Sequence, residues 1–253
     1  MTEASSDLGE FYDRSFYAER NANTRYAAES VLSIVEQVVP PIHSATDLGC
    51  GVGVWLSVLK ARGASRVAGF DGGWVKRDLL EIESDEFQAV DLSAFRPPTG
   101  KFDLAISLEV AEHLPSTAAD GFVESLCQLS DFVLFSAAIP DQGGVNHINE
   151  QWQDYWAEKF AARGYDCFDI VRPQIWNDDR IGFPYRQNVL LYVRNDRVGE
   201  LKGGVRPAKP GTVSMVHPYL FDIVRSKSVR RSLMDLRHTL VRRLGQAFGR
   251  GAA

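Results

Sequence analysis

Asp47-Leu48-Gly49-Cys50-Gly51-Val52-Gly53 decides how this chain is read. The short β-prone stretch Ser44-Ala45-Thr46 leads into it, and the apolar stripe Val54, Trp55, Leu56, Val58 and Leu59 follows at once. That succession predicts a strand, a glycine turn and a helix. Glycines at such a turn let a ligand rest against bare backbone, beside the positive end of a helix dipole. Asp47, just ahead of them, sets a negative charge where a cationic ammonium would dock. A pyrophosphate ligand fits poorly. A dinucleotide fingerprint needs a small residue at its third glycine position, which counted from Gly49 and Gly51 is Val54. A nucleoside triphosphate fits worse, because no Walker lysine follows.

Outward from this stretch the chain alternates. Residues 65–71, 87–91, 102–108 and 131–136 read as strands, and 165–171 and 188–193 as the last two. Helices are predicted over 74–82, 116–129 and 151–163, the last stopped at Gly164. Ahead of the glycines, 25–38 carries Tyr26, Ala27, Val31, Leu32, Ile34, Val35 and Val38 at helical spacing until Pro40-Pro41 ends it. Strands alternating with helices predict an α/β fold, a doubly wound and mostly parallel sheet. The expected division is an N-terminal cap with helices over 1–40, the α/β domain over 41–198, a Gly- and Pro-rich linker over 199–216, and a basic amphipathic tail over 217–253. The cap carries Phe11, Tyr12, Phe16 and Tyr17 as rings to pack on the domain. The tail interleaves arginines with Leu233, Leu236, Leu240, Val241 and Leu244.

Composition narrows the classes. Across 253 residues, 45% are apolar and 24% charged, which is ordinary for a soluble globular protein. A net charge of −5 argues against a nucleic-acid binder. Three cysteines, Cys50, Cys127 and Cys167, form no CxxC pair, so neither a disulfide framework nor a zinc site is expected. The polar, acidic start predicts no signal peptide, and no apolar run approaches the roughly 20 residues of a membrane span. A cytoplasmic location is expected. Two readings of the tail stand: a peripheral contact with an anionic membrane surface at its inner face, or packing on the domain or a second subunit.

In open α/β sheets a ligand lies beyond the carboxyl ends of the strands, where strand order switches. Asp71 ends the second strand and can accept both ribose hydroxyls. Asp91 ends the third. Its carboxylate can accept an adenine amino group while the Leu92 amide faces the ring nitrogen. Glu109 follows the fourth at the same rim. One such acid is as readily a helix N-cap as a ligand contact. Asp47, Asp71, Asp91 and Glu109 at matching positions point to a shared pocket.

The chain resembles the Rossmann-like class I S-adenosylmethionine-dependent methyltransferases. The likeness rests on Asp47–Gly53, Asp71, Val90-Asp91-Leu92 and the run Phe102-Asp-Leu-Ala-Ile-Ser-Leu-Glu-Val-Ala-Glu-His-Leu-Pro115, and it spans about residues 10–195. It implies a seven-stranded sheet with an antiparallel last strand, and S-adenosylmethionine as cofactor. Gly49, Gly51 and Gly53 would lie beside its methionine part, Asp71 on the ribose and Asp91 near the adenine. The tail has no counterpart in the family pattern.

Methyl transfer asks a site to align two centres and exclude water. An alcohol acceptor must also lose a proton, and histidine is the natural base. His113, after the fourth strand, and His147, in the loop after the fifth, are the candidates. Glu150 could orient His147 or cap the helix that follows. A metal held by His147, Glu150 and Asp141 matches no ligand spacing, and none is expected. Trp152, Tyr155, Trp156, Trp176 and Tyr185–Asn188 either line an acceptor pocket or pack the domain. The expected activity is O-methylation of a small polar acceptor such as a sugar or glycan intermediate. The alternatives are an N-methyltransferase or a non-catalytic binding protein on the same fold. An NAD-dependent oxidoreductase is disfavoured by Val54 and Asp47.

Overall fold

Seven strands form one sheet in the order β3-β2-β1-β4-β5-β7-β6. The computed structural model describes residues 14–226, with side chains from residue 23. The strands are β1 (Ser44–Leu48), β2 (Arg66–Asp71), β3 (Phe87–Ala89), β4 (Leu104–Leu108), β5 (Phe132–Ser136), β6 (Tyr165–Phe168) and β7 (Leu190–Arg194). The first five are parallel, and β7 inserts antiparallel between β5 and β6, pairing Val133 with Tyr192 and Cys167 with Tyr192. This is the seven-stranded mixed sheet that the resemblance implies.

Helices cover both faces, so β4 and β5 are buried along their whole length and read as apolar runs rather than as alternations. Side chains alternate between two cores. Leu104, Ile106 and Leu134 join α1 (Arg14–Val38) and α2 (Val54–Ala61) through Val31, Leu32, Leu56 and Leu59. Ala105, Val133 and Phe135 join α3 (Ala119–Leu129) and α4 (Gln153–Ala161) through Phe122, Leu126, Trp156 and Phe160. Each such leucine or phenylalanine contributes about 1.5–3 kcal/mol by leaving water.

Three expectations are corrected. Residues 74–82 do not form a helix; they hold one 3₁₀ turn, Arg77–Leu79. The Glu81 amide donates to the Val52 carbonyl of the glycine turn instead of to its own fourth neighbour, while Val75, Leu80 and Ile82 pack into the α1–α2 core. The strand predicted over 165–171 stops at Phe168, and α5 (Arg172–Ile175) follows with a proline in its first turn. The last strand starts at Leu190, because Phe183–Asn188 is helical (α6), again opened by a proline.

Two compact units divide between Met215 and Val216. Residues 201–215 hold no helix or strand, yet they are tied to the first unit. The Lys202 amide donates to the Val38 carbonyl, the Ala208 amide to the Cys167 carbonyl, and the Val213 and Ser214 amides to the Asp154 carboxylate. The second unit shows a helix over 218–226. The predicted cap residues Phe11 and Tyr12 and the tail from Lys227 onward lie outside the described residues, and the side chains of Phe16 and Tyr17 do so too. Among the described residues no helix is long and apolar enough to cross a membrane.

Candidate active site

The glycine turn lies where the sheet order reverses, at the carboxyl end of β1 between β2 and β4. Its three glycines serve different ends. Gly49 has φ +88°, and a Cβ there would come within 2.2 Å of a Val110 methyl. Gly53, at φ +87°, is pressed by Ile82 and leads into α2. Gly51, at φ +54°, faces open space with nothing within 4 Å of a built Cβ. The turn is bare toward the cleft at Gly51, while Gly49 and Gly53 make room for the protein's own side chains.

Asp47 and Asp71 face each other across this turn. Asp47 is 3% exposed, and burial, then the Asp71 charge, hold its carboxyl well above the usual range. Burial likewise raises Asp71, which accepts the Gly51 amide at 2.7 Å on one oxygen and the Gly72 amide at 2.6 Å on the other. Each Asp71 oxygen keeps lone-pair capacity for a further donor. The exposed indole of Trp74 lies against Gly72. Nothing in the sequence singled Trp74 out, because it was read as the start of a helix.

Asp91 is placed differently. It is exposed, and one oxygen accepts both the amide and the hydroxyl of Ser93, capping a 3₁₀ turn at Leu92–Ala94. Those bonds, the hydroxyl first, lower its pKa. Leu92 is buried in the α3–α4 core. A cavity of about 480 Å³ runs beside this turn, lined by Phe70, Gln88, Val90, Asp91 and Phe95 among others, and it takes in no residue of the glycine turn.

Beyond β4 and β5 a second group assembles. Glu109 follows β4 at φ +56°, and Asp141 and Asn146 in the loop after β5 have φ +67° and +60°. These are the three non-glycine residues with positive φ among the described residues, and backbone strain of this kind collects at functional sites. The Glu109 carboxylate is held by buried carboxamides: Gln142 Nε2 donates at 2.7 Å and Asn188 Nδ2 at 3.1 Å. Burial raises its pKa, and those two amides with Ser136 pull it back. Asn188 in turn donates to Gln142 and accepts from Gln187 and Gln153, and Gln187 also donates to Gln142.

The loop carrying His147 is pinned to the turn after β4, where the Ile148 and Asn149 amides both donate to the Glu112 carbonyl at 2.9 and 3.0 Å. That contact brings His113 and His147 ring to ring, with centroids 4.9 Å apart and planes at 86°. His147 Nδ1 lies 2.9 Å from Glu150 Oε1, and His113 Nδ1 lies 3.3 Å from the Asn146 carbonyl. A protonated Nδ1 satisfies each acceptor, which leaves Nε2 with the lone pair on both rings. Glu150 also accepts the Asp141 and Gly143 amides, so it folds the loop as well as orienting the imidazole. Glu112, unremarked in the sequence, is 1% exposed with its Oε1 4.0 Å from His147 Nε2. Of the aromatic candidates, Trp156 is core and Tyr185 packs edge-on to Trp55, whereas Trp152 is exposed at the entry to α4.

A family sequence profile described as "Methyltransferase domain" matches residues 24–172, more than half of the chain. The chain belongs to the methyltransferase-domain family. Its fold is shared with solved methyltransferases. Phosphoethanolamine N-methyltransferase 1 of Haemonchus contortus, in complex with phosphoethanolamine and S-adenosylhomocysteine, superposes with a TM-score of 0.54 at 14% identity, covering 92% of this chain and 54% of that one. Magnesium protoporphyrin IX methyltransferase of Synechocystis PCC 6803, with S-adenosylmethionine bound, gives 0.50 at 17% identity, covering 77% of this chain and 98% of that one. This chain therefore spans about half the length of the first and nearly all of the second. At these identities the likeness is one of fold. No curated protein matches the sequence.

Proposed function

We propose that this methyltransferase uses S-adenosylmethionine to methylate an oxygen of a small polar acceptor, with a sugar or glycan hydroxyl as the class to test first. The observation that carries the reading is the pair of buried carboxylates, Asp47 and Asp71, at a bare glycine turn, with a locked histidine pair on the neighbouring strand ends.

The turn fits the cofactor. Asp47 is a buried carboxylate beside another acid, so an ammonium placed there relieves both charges. Asp71 keeps acceptor capacity for ribose hydroxyls, and Gly51 leaves its face open. S-adenosylmethionine supplies the methyl group: its S–CH3 bond breaks as the acceptor O–CH3 bond forms, and the electron pair returns to sulfur. The chain's own task is to align the acceptor, keep water out and take up the hydroxyl proton. His147, held by Glu150 with Nε2 free to accept, is the atom set for that proton, and His113 packs on its ring. Exposed Val145, Ile148 and Trp152 offer apolar surface around this loop for the acceptor's body. Glu109, fixed by Gln142 and Asn188, stands between the two regions. Asp91 is proposed to reach the adenine with its remaining oxygen.

Parallel calorimetry with S-adenosylmethionine and NAD tests the reading. One S-adenosylmethionine per chain and no NAD binding is the expected result. NAD bound with the methyl donor ignored would overturn it.

A further inference from the structure

We propose that Glu112, His113 and His147 bind one divalent first-row transition-metal ion, whose open positions take the acceptor oxygen. The three residues each offer one ligand atom, and these atoms lie within 4.8 Å of one another, a spread that a single ion can close. Two imidazoles and one carboxylate are a donor set for zinc, manganese or ferrous iron, not for calcium or magnesium, which favour oxygen alone.

Glu112 carries the argument. Its side chain is 1% exposed, and neither carboxylate oxygen meets a donor in hydrogen-bond geometry among the described residues. Its own amide and that of Ala138 lie on the carboxylate side and only partly offset the burial. A cation is the missing partner.

The histidines are presented as ligands should be. A metal-binding imidazole gives its second N–H to a carboxylate or a backbone carbonyl, which fixes the tautomer and the ring. His147 does so to Glu150, and His113 to the Asn146 carbonyl. Room at Nε2 is kept by Gly144, where a Cβ would come within 2.1 Å of that nitrogen. Gly144 has no positive φ, so its lack of a side chain serves this space and not a turn. The site departs from the expectation of no metal, and it does not use the set His147, Glu150 and Asp141 that the sequence had set aside. Glu150 supports His147 from outside, and Asp141 offers its amide to Glu150.

The placement of the acceptor oxygen rests on the function proposed above. With the ion bound, His147 Nε2 is a ligand and gives up the proton-acceptor role it has in the metal-free chain. The acceptor hydroxyl bound to the ion is acidified and releases its proton to water.

Chelator-treated, tag-free full-length protein titrated with Mn²⁺ and followed by electron paramagnetic resonance provides the test, with Zn²⁺ as competitor. One Mn²⁺ per chain, displaced by Zn²⁺, is expected. Glu112→Gln and His147→Ala should each weaken it about tenfold or more, with S-adenosylmethionine binding kept. Gly144→Ala, which removes no ligand, should also weaken it, and it decides the matter if Glu112→Gln does not fold. Absence of stoichiometric Mn²⁺ and Zn²⁺ binding by the wild-type chain, or binding untouched by the variants, overturns the site. A chain that binds S-adenosylmethionine but neither ion would lose this inference alone and leave His147 as the base.

Discussion

The glycine turn and the His147 loop occupy the same edge of one sheet, yet they are built in opposite ways. The turn is local. Gly49, Gly51 and Gly53 set its path, and Asp71 closes it with one hydrogen bond from the Gly51 amide. The loop is assembled from a distance. Its two amides rest on the Glu112 carbonyl, and Glu150 gathers Asp141, Gly143 and His147 onto one carboxylate. A surface that holds an invariant part of a reaction can be encoded in one short run. A surface that holds the variable part is better carried by a loop that can be rewritten without disturbing the sheet.

If the two regions divide donor from acceptor, damage to one should spare the other. The largest effect is expected from His147→Ala. Turnover should fall by about 10²–10⁴, whether the imidazole takes up the proton or holds the ion, while calorimetric affinity for S-adenosylmethionine stays within about twofold of wild type. Equal losses in both would show that the regions are one. Gly49→Ala should come next, because it meets both an unfavourable φ and the Val110 methyls. About 2–4 kcal/mol of stability should be lost in denaturant melting. Gly51→Ala, with open space before it, should lose only the backbone part, about 1–2 kcal/mol. Matching losses at the two positions would refute the different duties assigned to them.

Asp71→Ala should weaken S-adenosylmethionine binding by about 1–3 kcal/mol, with metal binding at the other region untouched. The smallest effect separates stability from binding. Asp47 has a folded pKa above its unfolded one, so its ionisation costs stability once the pH exceeds the unfolded value of about 3.9, and the cost grows until the folded value is passed. Asp47→Asn should therefore raise the melting temperature of the cofactor-free protein at pH 7, by the equivalent of about 1 kcal/mol, with the gain gone near pH 3. The same variant should bind S-adenosylmethionine less well. A variant no more stable than wild type at pH 7 would remove the electrostatic tension ascribed to this site.

What the sequence made legible follows the same division. Strand β1, the turn and α2 were readable because glycine positions and an apolar stripe are local signals. The burial of β4 and β5 was readable from their largely apolar runs, which each strand's one serine does not turn into an alternation. The region 74–82 misled, since Val75, Leu79 and Ile82 stand at helical spacing, while Val75, Leu80 and Ile82 answer to the α1–α2 core and Glu81 to the Val52 carbonyl. Asp91 and Asp71 looked alike in sequence. A serine two residues on takes one oxygen of the first into a cap, and two glycine amides hold both oxygens of the second at the glycine turn. Glu112 could not have been distinguished from an ordinary helix-end acid, because its burial goes with the loop 146–149 folding onto its backbone, a contact distant in sequence. Asn188 was suspected only as pocket lining. Its hold on Glu109 requires knowing that β7 slots between β5 and β6.

The bonds around Asn188 extend further than the site. Val213 accepts from Arg172, and Met215 accepts from Gln153. Arg172 also grips the Gln187 carbonyl, and Gln153 grips the Asn188 side chain that holds Glu109. Residues 213–215 are thus joined to Glu109, a residue at positive φ, through two or three side chains. The segment 213–215 therefore holds the polar cluster behind Glu109 as well as closing the first unit.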